Sequence, residues 1–309
     1  MGEALTWLDQ PLFQEGFLRV WMILAAGVAL ALAAVLVPVL RRSRGRKGKA
    51  APSEQETITV KPHPLPVVEL ANLQGMGERE EQQDAFGISP MGRLEEDGLL
   101  AVLCDGMGGM AQGGMIAGET ASEMVGAFPW EDDGAVPQWV RHRSARVYQQ
   151  FRGHGGTTLA AALIKGKSLW FWCVGDSDLF LWREGMLYAL NIRQEFKNEL
   201  VLRALEGAFP VEEAFSDPQA GALSEYIGKE DVQCDHTRVP FSLQGEDALL
   251  LCSDGVSDTL TLRQIREAME LSPQACCDRL EEGILAAAKP NQDNYTAIVL
   301  KYHGKGEET

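Results

Sequence analysis

The stretch Leu99-Leu100-Ala101-Val102-Leu103-Cys104-Asp105-Gly106-Met107-Gly108-Gly109 decides how the rest of the chain is read. Its short apolar run, closed by glycines, predicts a buried strand. That strand delivers one carboxylate, Asp105, at its C-terminal end. The glycines beyond it leave main chain without side-chain bulk, as a site needs where an ion or phosphate approaches the backbone. The same device recurs at Leu249-Leu250-Leu251-Cys252-Ser253-Asp254-Gly255. Two strand-end Asp-Gly pairs predict two carboxylates brought together from distant parts of the chain.

Upstream, residues 75–89 hold Arg79 and Asp84, with Ala85-Phe86-Gly87 opening another strand. Taken alone, Arg79 reads as a solvated surface residue and Asp84 as a strand-start turn. Downstream, small and apolar residues at helical spacing predict a helix from about Gly114 to Ala127, and a second over Pro137–Phe151 with proline in its first turn. The runs at 157–164, 168–174, 178–182 and 186–190 are separated by turn residues and predict one antiparallel meander, with Asp176 in its middle turn. Residues 191–235 are polar and read as an excursion of short helices. Further helices are expected over Leu262–Leu271 and Pro273–Ala288, then a last strand from Ala297 to Tyr302. Strands and helices in mixed order argue for an α+β domain with helices on antiparallel sheets.

The 309-residue chain carries a net charge of −16, unevenly spread: residues 1–50 hold seven Lys/Arg against three Asp/Glu, and everything after them is strongly acidic. An acidic globular part is a poor nucleic-acid binder, because phosphate backbones reward the opposite sign. From Val20 to Leu40 no residue is charged, and at 1.5 Å per residue this stretch would span roughly 30 Å, a bilayer core. Six basic residues follow at once, in Arg41–Lys49, which predicts a transmembrane helix with its C-terminal side in the cytoplasm and its membrane contact made through residues 20–40. A cleaved signal peptide would carry its basic cluster on the other flank. The expected order is thus a short extracytoplasmic segment (1–19), the span (20–40), a basic and Pro-containing linker (41–66), a globular domain (67–303) and a polar tail (304–309). The six cysteines have no metal-ligand spacing and stand mostly in apolar runs, as reduced structural thiols do.

The polar blocks fall in a fixed order: Arg79 and Asp84; Asp105-Gly106-x-Gly-Gly; Gly156-Thr157-Thr158; Gly175-Asp176-Ser177; Ser253-Asp254-Gly255 with Asp258; and Asp293-Asn294-x-Thr296. This order resembles the metal-dependent protein phosphatases of the protein phosphatase 2C (PPM) family in their bacterial form, over about residues 70–302. The resemblance implies a central β-sandwich flanked by helices, with a two-metal site at one end. It implies that Asp105 bridges two divalent ions, Mn²⁺ or Mg²⁺, with the Gly106 carbonyl on one of them. Asp84 would serve the second-metal side, and Asp254 and Asp293 the first. A third, weaker metal would draw on Asp176 and Asp258, and Arg79 would clamp the substrate phosphate. The substrates implied are phosphorylated Ser/Thr proteins, and with the anchor, a membrane Ser/Thr kinase and its targets.

The residue types suit that chemistry in their own right. Hard divalent ions take oxygen ligands. Two of them can deprotonate a shared water and neutralise phosphoryl oxygens during in-line attack. An Arg fork grips two phosphate oxygens as Lys cannot. No covalent phosphoenzyme is required, so Cys104 and Cys252 should alternate away from the site. Two departures stand out: Asp178 occupies a position where the family commonly has Arg, and Met110 one where a His is typical. A catalytically silent relative acting as a binding module is the competing reading, and retention of the carboxylates at 84, 105, 176, 254 and 293 argues against it.

Overall fold

The computed structural model describes residues 67–107 and 112–304. The expected span at 20–40, the segments on either side of it, Gly108 to Ala111 and the tail from residue 305 lie outside the described residues. Among the described residues no helix is long and apolar enough to cross a membrane.

Two antiparallel sheets form the centre. The first runs β1 (Val68–Gly75), β11 (Tyr295–Tyr302), β10 (Asp247–Cys252), β6 (Asp178–Arg183), β7 (Met186–Ala189). The second runs β2 (Asp84–Ile88), β3 (Leu99–Asp105), β4 (Leu159–Lys165), β5 (Ser168–Val174), β8 (Asp235–His236), with β9 (Phe241–Ser242) also on β5. The meander expected over 157–190 is therefore two hairpins in different sheets. β4 pairs with β5, whereas β6 pairs with β10 and β7. The chain changes sheet at Gly175-Asp176-Ser177, where Gly175 takes φ +98°, a conformation that favours a residue without Cβ. β1 carries no strong sequence signal, yet it pairs with β11 along its whole length.

Alternation explains why β3 and β10 read as unbroken apolar runs. Leu99, Ala101 and Leu103 pack between the sheets with Leu249 and Leu251. Their neighbours Leu100, Val102 and Cys104 face α1 (Gly113–Ala127) and α2 (Val136–Phe151) instead. Ala248, Leu250 and Cys252 face α6 (Leu262–Met269) and α7 (Pro273–Ala287). A strand buried on both faces has no polar side to show, and four layers result, helix–sheet–sheet–helix. α1 and α2 begin within a residue of their expected starts, and α6 opens on a capping box of Thr261 and Gln264. The excursion holds two short helices, α3 (Phe196–Leu205) and α4 (Val211–Ser216), around a small cluster of Leu200, Ala214 and Ala220. All six cysteines are free, and five are buried.

Candidate functional site

The alternation that sends Leu99, Ala101 and Leu103 between the sheets sends Asp105 the same way, at the last residue of β3. Its cross-strand partner in β2 is Asp84. Like charges directly opposite in a ladder destabilise it, so this register has a cost that packing alone does not require. The other sheet contributes at the same end. β10 stops at Cys252, Ser253 follows, and Asp254 opens the single turn α5 (Asp254–Ser257). Asp293 stands two residues before the adjacent strand β11.

Hydrogen bonds stitch the two sheet ends together. Ser253 Oγ donates to Asp84 Oδ2 at 2.8 Å and accepts from the Thr296 N–H at 3.0 Å. Asn294 Oδ1 accepts from the Gln83 N–H, and Asn294 Nδ2 donates to the Met76 carbonyl, both at 2.8 Å. The end of β3 is pinned separately. The Asp105 N–H donates to Thr158 Oγ1 at 2.9 Å, and the Asp105 carbonyl accepts from Thr157 Oγ1 and the Thr158 N–H, each at 2.8 Å. Thr158 Oγ1 also meets Ser177 Oγ at 2.7 Å. The Gly-Thr-Thr and Gly-Asp-Ser blocks thus act as the support on which the carboxylate end of β3 rests.

Two glycines also have a packing task here. A Cβ on Gly106 would lie 2.4 Å from the Gly113 carbonyl carbon and 2.7 Å from the Gln83 carbonyl oxygen. The space is filled by backbone, where the start of α1 crosses the end of β3. A Cβ on Gly255 would lie 1.9 Å from the Asn294 carbonyl oxygen. That glycine lets the Asp254 turn sit directly on the Asp293–Asn294 segment.

The electrostatics record the crowding. Burial, then the charges of Asp84, Asp254, Asp176 and Asp293, holds the Asp105 carboxyl well above its ordinary range. Burial also raises Asp84, against the hydrogen bonds from Thr296 and Ser253. Asp254 is pushed up to about 6, by burial first and then by Asp258, Asp293 and Asp84. Asp176 is pushed up to about 7 by burial and Asp254, with Arg193 acting in the opposite direction. Among the described residues Asp84 Oδ1 and Asp254 Oδ1 are buried without a hydrogen-bond partner. Buried carboxylate oxygens ordinarily find donors. Two bare ones, one from each sheet, beside Asp105 and Asp293, make an all-oxygen set of the kind hard divalent cations take. Among the described residues no three His, Cys, Asp or Glu side chains are already gathered as a closed metal-holding group. Asp293 instead pairs with Arg79, Nη2 to Oδ2 at 2.7 Å.

Of the expected site residues, Arg79, Asp84, Asp105, Gly106, Asp254 and Asp293 are gathered at this end of the sandwich. Asp176 lies beside them in the turn between β5 and β6. Asp258 caps α5 as the residue after it, and its Oδ1 accepts from Arg193 Nη1 at 2.7 Å. Arg193 was not picked out by the sequence. It also grips Asp178 through Nε and Nη2, at 3.0 and 2.6 Å, so the acidic residue at position 178 is paired within the fold. Ser253 and Asn294 were quoted only as parts of motifs. Their signal was small polar residues at the ends of runs too apolar to be exposed. Cys104 and Cys252 face the helices, and burial drives both thiols well above their ordinary range, as it suits core residues and not nucleophiles.

Residues 77–293 match the family model for protein phosphatase 2C. The chain is 34% identical over 215 residues to the serine/threonine protein phosphatase PstP of Mycobacterium tuberculosis, an alignment covering 65% of this chain and 40% of that protein. The chain therefore spans well under half the length of this relative. It is 28% identical over 222 residues to the serine/threonine phosphatase stp of Listeria welshimeri, covering 65% of this chain and 84% of that one. Among solved structures, the catalytic domain of PstP in complex with two manganese ions superposes with a TM-score of 0.60 at 26% identity, covering 76% of this chain and 98% of that one. Sandwich, carboxylate register and family match agree: the chain belongs to the protein phosphatase 2C family.

Proposed function

We propose that this chain is a metal-dependent phosphoprotein phosphatase acting on phosphorylated Ser and Thr, tethered to the cytoplasmic face of a membrane by residues 20–40. One observation carries the chemical part: four carboxylates from two sheets meet at one end of the sandwich, and two of their buried oxygens have no donor. Asp84, Asp105, Asp254, Asp293 and the Gly106 carbonyl would hold two divalent ions, Mn²⁺ or Mg²⁺. Bound there, such ions supply an activated water and neutralise phosphoryl charge.

The chain's own residues do the rest. Ser253 fixes one oxygen of Asp84, leaving the other free to face a cation. Thr157 and Thr158 set the end of β3, and so the place of Asp105. Among the described residues only Nη2 of the Arg79 fork is engaged, by Asp293. The remaining donors can take phosphate oxygens, and the pairing ties the phosphate clamp to the carboxylate set. The names of the mycobacterial and listerial relatives support Ser/Thr phosphoproteins as the substrate class. The acidic domain disfavours nucleic acid as a partner.

The test is phosphate release by the full chain from a phosphothreonine peptide and from p-nitrophenyl phosphate, titrated with Mn²⁺ against EDTA controls. Asp105→Ala and Asp254→Ala are run beside it. Metal-dependent release, absent from both variants, is the expected result. A folded, Mn²⁺-loaded wild type that releases nothing would replace this reading with that of a binding module.

A further inference from the structure

Arg193 stands at the centre of a cluster that the two-metal reading does not use. Its guanidinium meets Asp178 through Nε at 3.0 Å and Nη2 at 2.6 Å, Ser257 Oγ through Nη2 at 2.6 Å, and Asp258 Oδ1 through Nη1 at 2.7 Å. Glu195 Oε1 lies 3.6 Å from Nη1. One cation thus gathers acidic groups from the start of β6, from the residue that caps α5 and from the start of the excursion. Its backbone is equally fixed. Asn191 Oδ1 accepts from the Leu179 N–H at 2.7 Å, and Gln194 Oε1 accepts from the Gly175 N–H at 2.8 Å. Asn198 Nδ2 donates to the Arg193 carbonyl at 2.7 Å. The segment from 191 to 198 is laced onto the turn that carries Asp176, and the Arg193 side chain is largely buried, with an exposure of 25%.

We propose that in this chain the Arg193 guanidinium takes the place of a third metal ion, so that the site binds two divalent cations and no more. Asp258, one of the two carboxylates such an ion would need, has its Oδ1 committed to Nη1. A divalent ion drawn to Asp176 would have to approach a permanently charged arginine, which already acts on that carboxylate as a neighbouring positive charge. Asp178 makes the substitution stable: it is buried, and it fixes the arginine in a two-pronged pair that a mobile surface arginine would lack. A guanidinium cannot coordinate and acidify a water as a metal ion does. It holds the α5 turn, and with it Asp254 four residues before Asp258, against the start of β6 without depending on metal supply.

This inference rests on the two-metal reading, and the experiment separates the two. Bound Mn²⁺ is counted on the full-length, detergent-solubilised chain by electron paramagnetic resonance of free Mn²⁺ and by calorimetry, each titrated to saturation. Wild type should bind two. Arg193→Met should gain one weaker site, and the double variant Arg193→Met/Asp258→Asn should lose it again. Asp258→Asn in the wild-type background leaves a half-exposed position and a buried Asp178–Arg193 pair intact, so it tests the idea even if Arg193→Met does not fold. It should still bind two Mn²⁺ at saturation, since Asp258 is not among the carboxylates that would hold them. Three Mn²⁺ on wild type, a site lost in Asp258→Asn, or a folded Arg193→Met that still binds two would each overturn the proposal. No Mn²⁺ on wild type would instead remove the two-metal reading itself, and this inference with it.

Discussion

Asp254 shows how a single residue can work against the fold that carries it. Burial and three neighbouring carboxylates raise its carboxyl from 3.8 to about 6, so the folded chain holds a proton there that the unfolded chain gives up. A folded-state pKa above the unfolded one means that stability is greatest below the unfolded value and is lost as pH rises through the folded one. Without metal, the loss from Asp254 falls between about pH 4 and pH 6, and Asp176, raised to about 7, extends the window upward. At about 1.4 kcal/mol per unit, Asp254 alone contributes on the order of 2–3 kcal/mol of destabilisation at neutral pH. Asp254→Asn should therefore raise the melting temperature of EDTA-treated protein at about pH 8 by roughly 5 °C, with the gain nearly gone at about pH 4. The same variant should lose phosphatase activity by at least ~10²-fold, the scale of several kcal/mol of lost charge stabilisation. Thermal melts at both pH values, alongside the peptide assay, check the two halves. A variant that is less stable than wild type at the higher pH would show that Asp254 is satisfied by the protein alone.

Helix and strand ends carry the site, and glycine sets how closely they meet. Gly255→Ala should destabilise the chain by about 2 kcal/mol or more, because its Cβ would be forced into the Asn294 carbonyl at 1.9 Å. It should also weaken Mn²⁺ binding, since separating α5 from the 293–294 segment separates Asp254 from Asp293. Gly118, inside α1, is the control: a Cβ there meets nothing within 4 Å, and Gly118→Ala should stabilise by roughly 0.5–1 kcal/mol through helix propensity. Urea unfolding of both variants and calorimetry of Gly255→Ala are the measurements. At this scale the sequence was legible where a pattern is local. The apolar runs of β3 and β10, the glycine stops and the Pro-started helices each announce themselves within a few residues. It was silent where pairing decides. β1 has no continuous apolar run, because only Val68, Ala71 and Leu73 are buried and they serve two different clusters, and its existence rests on β11 more than two hundred residues away. The run from Thr157 onward looked like one strand, but Thr157 and Thr158 turn aside to hold Asp105, and the strand starts at Leu159. The carboxylates gathered at the end of the sandwich, Asp84, Asp105, Asp254 and Asp293, could be picked out from their motif order. Arg193 could not, since nothing near it in sequence says that a buried Asp178 awaits it.

For the whole molecule, the charge distribution and the site make one argument. An acidic domain with crowded carboxylates is repelled by an anionic lipid surface, whereas the basic segment Arg41–Lys49 is drawn to one. An apolar run of Val20–Leu40 ahead of that segment would hold the domain near a membrane that its own charge avoids. The linker up to residue 66 would set the distance. A peripheral protein held only by its basic cluster would be released by salt, because screening shortens the reach of surface charge; a spanning helix would not. The full chain should therefore stay in the membrane fraction through high-salt and alkaline washes and leave it only in detergent. A version with Arg41, Arg42, Arg44, Arg46, Lys47 and Lys49 all changed to Gln should still sediment with membranes, but with mixed orientation, read by protease protection of the phosphatase domain in sealed vesicles. Peptide phosphatase activity should be the same in membranes and in detergent, as a site built wholly within residues 77–293 requires. Release of the wild-type chain by salt alone would reduce the anchor to an electrostatic one and leave the phosphatase site as argued.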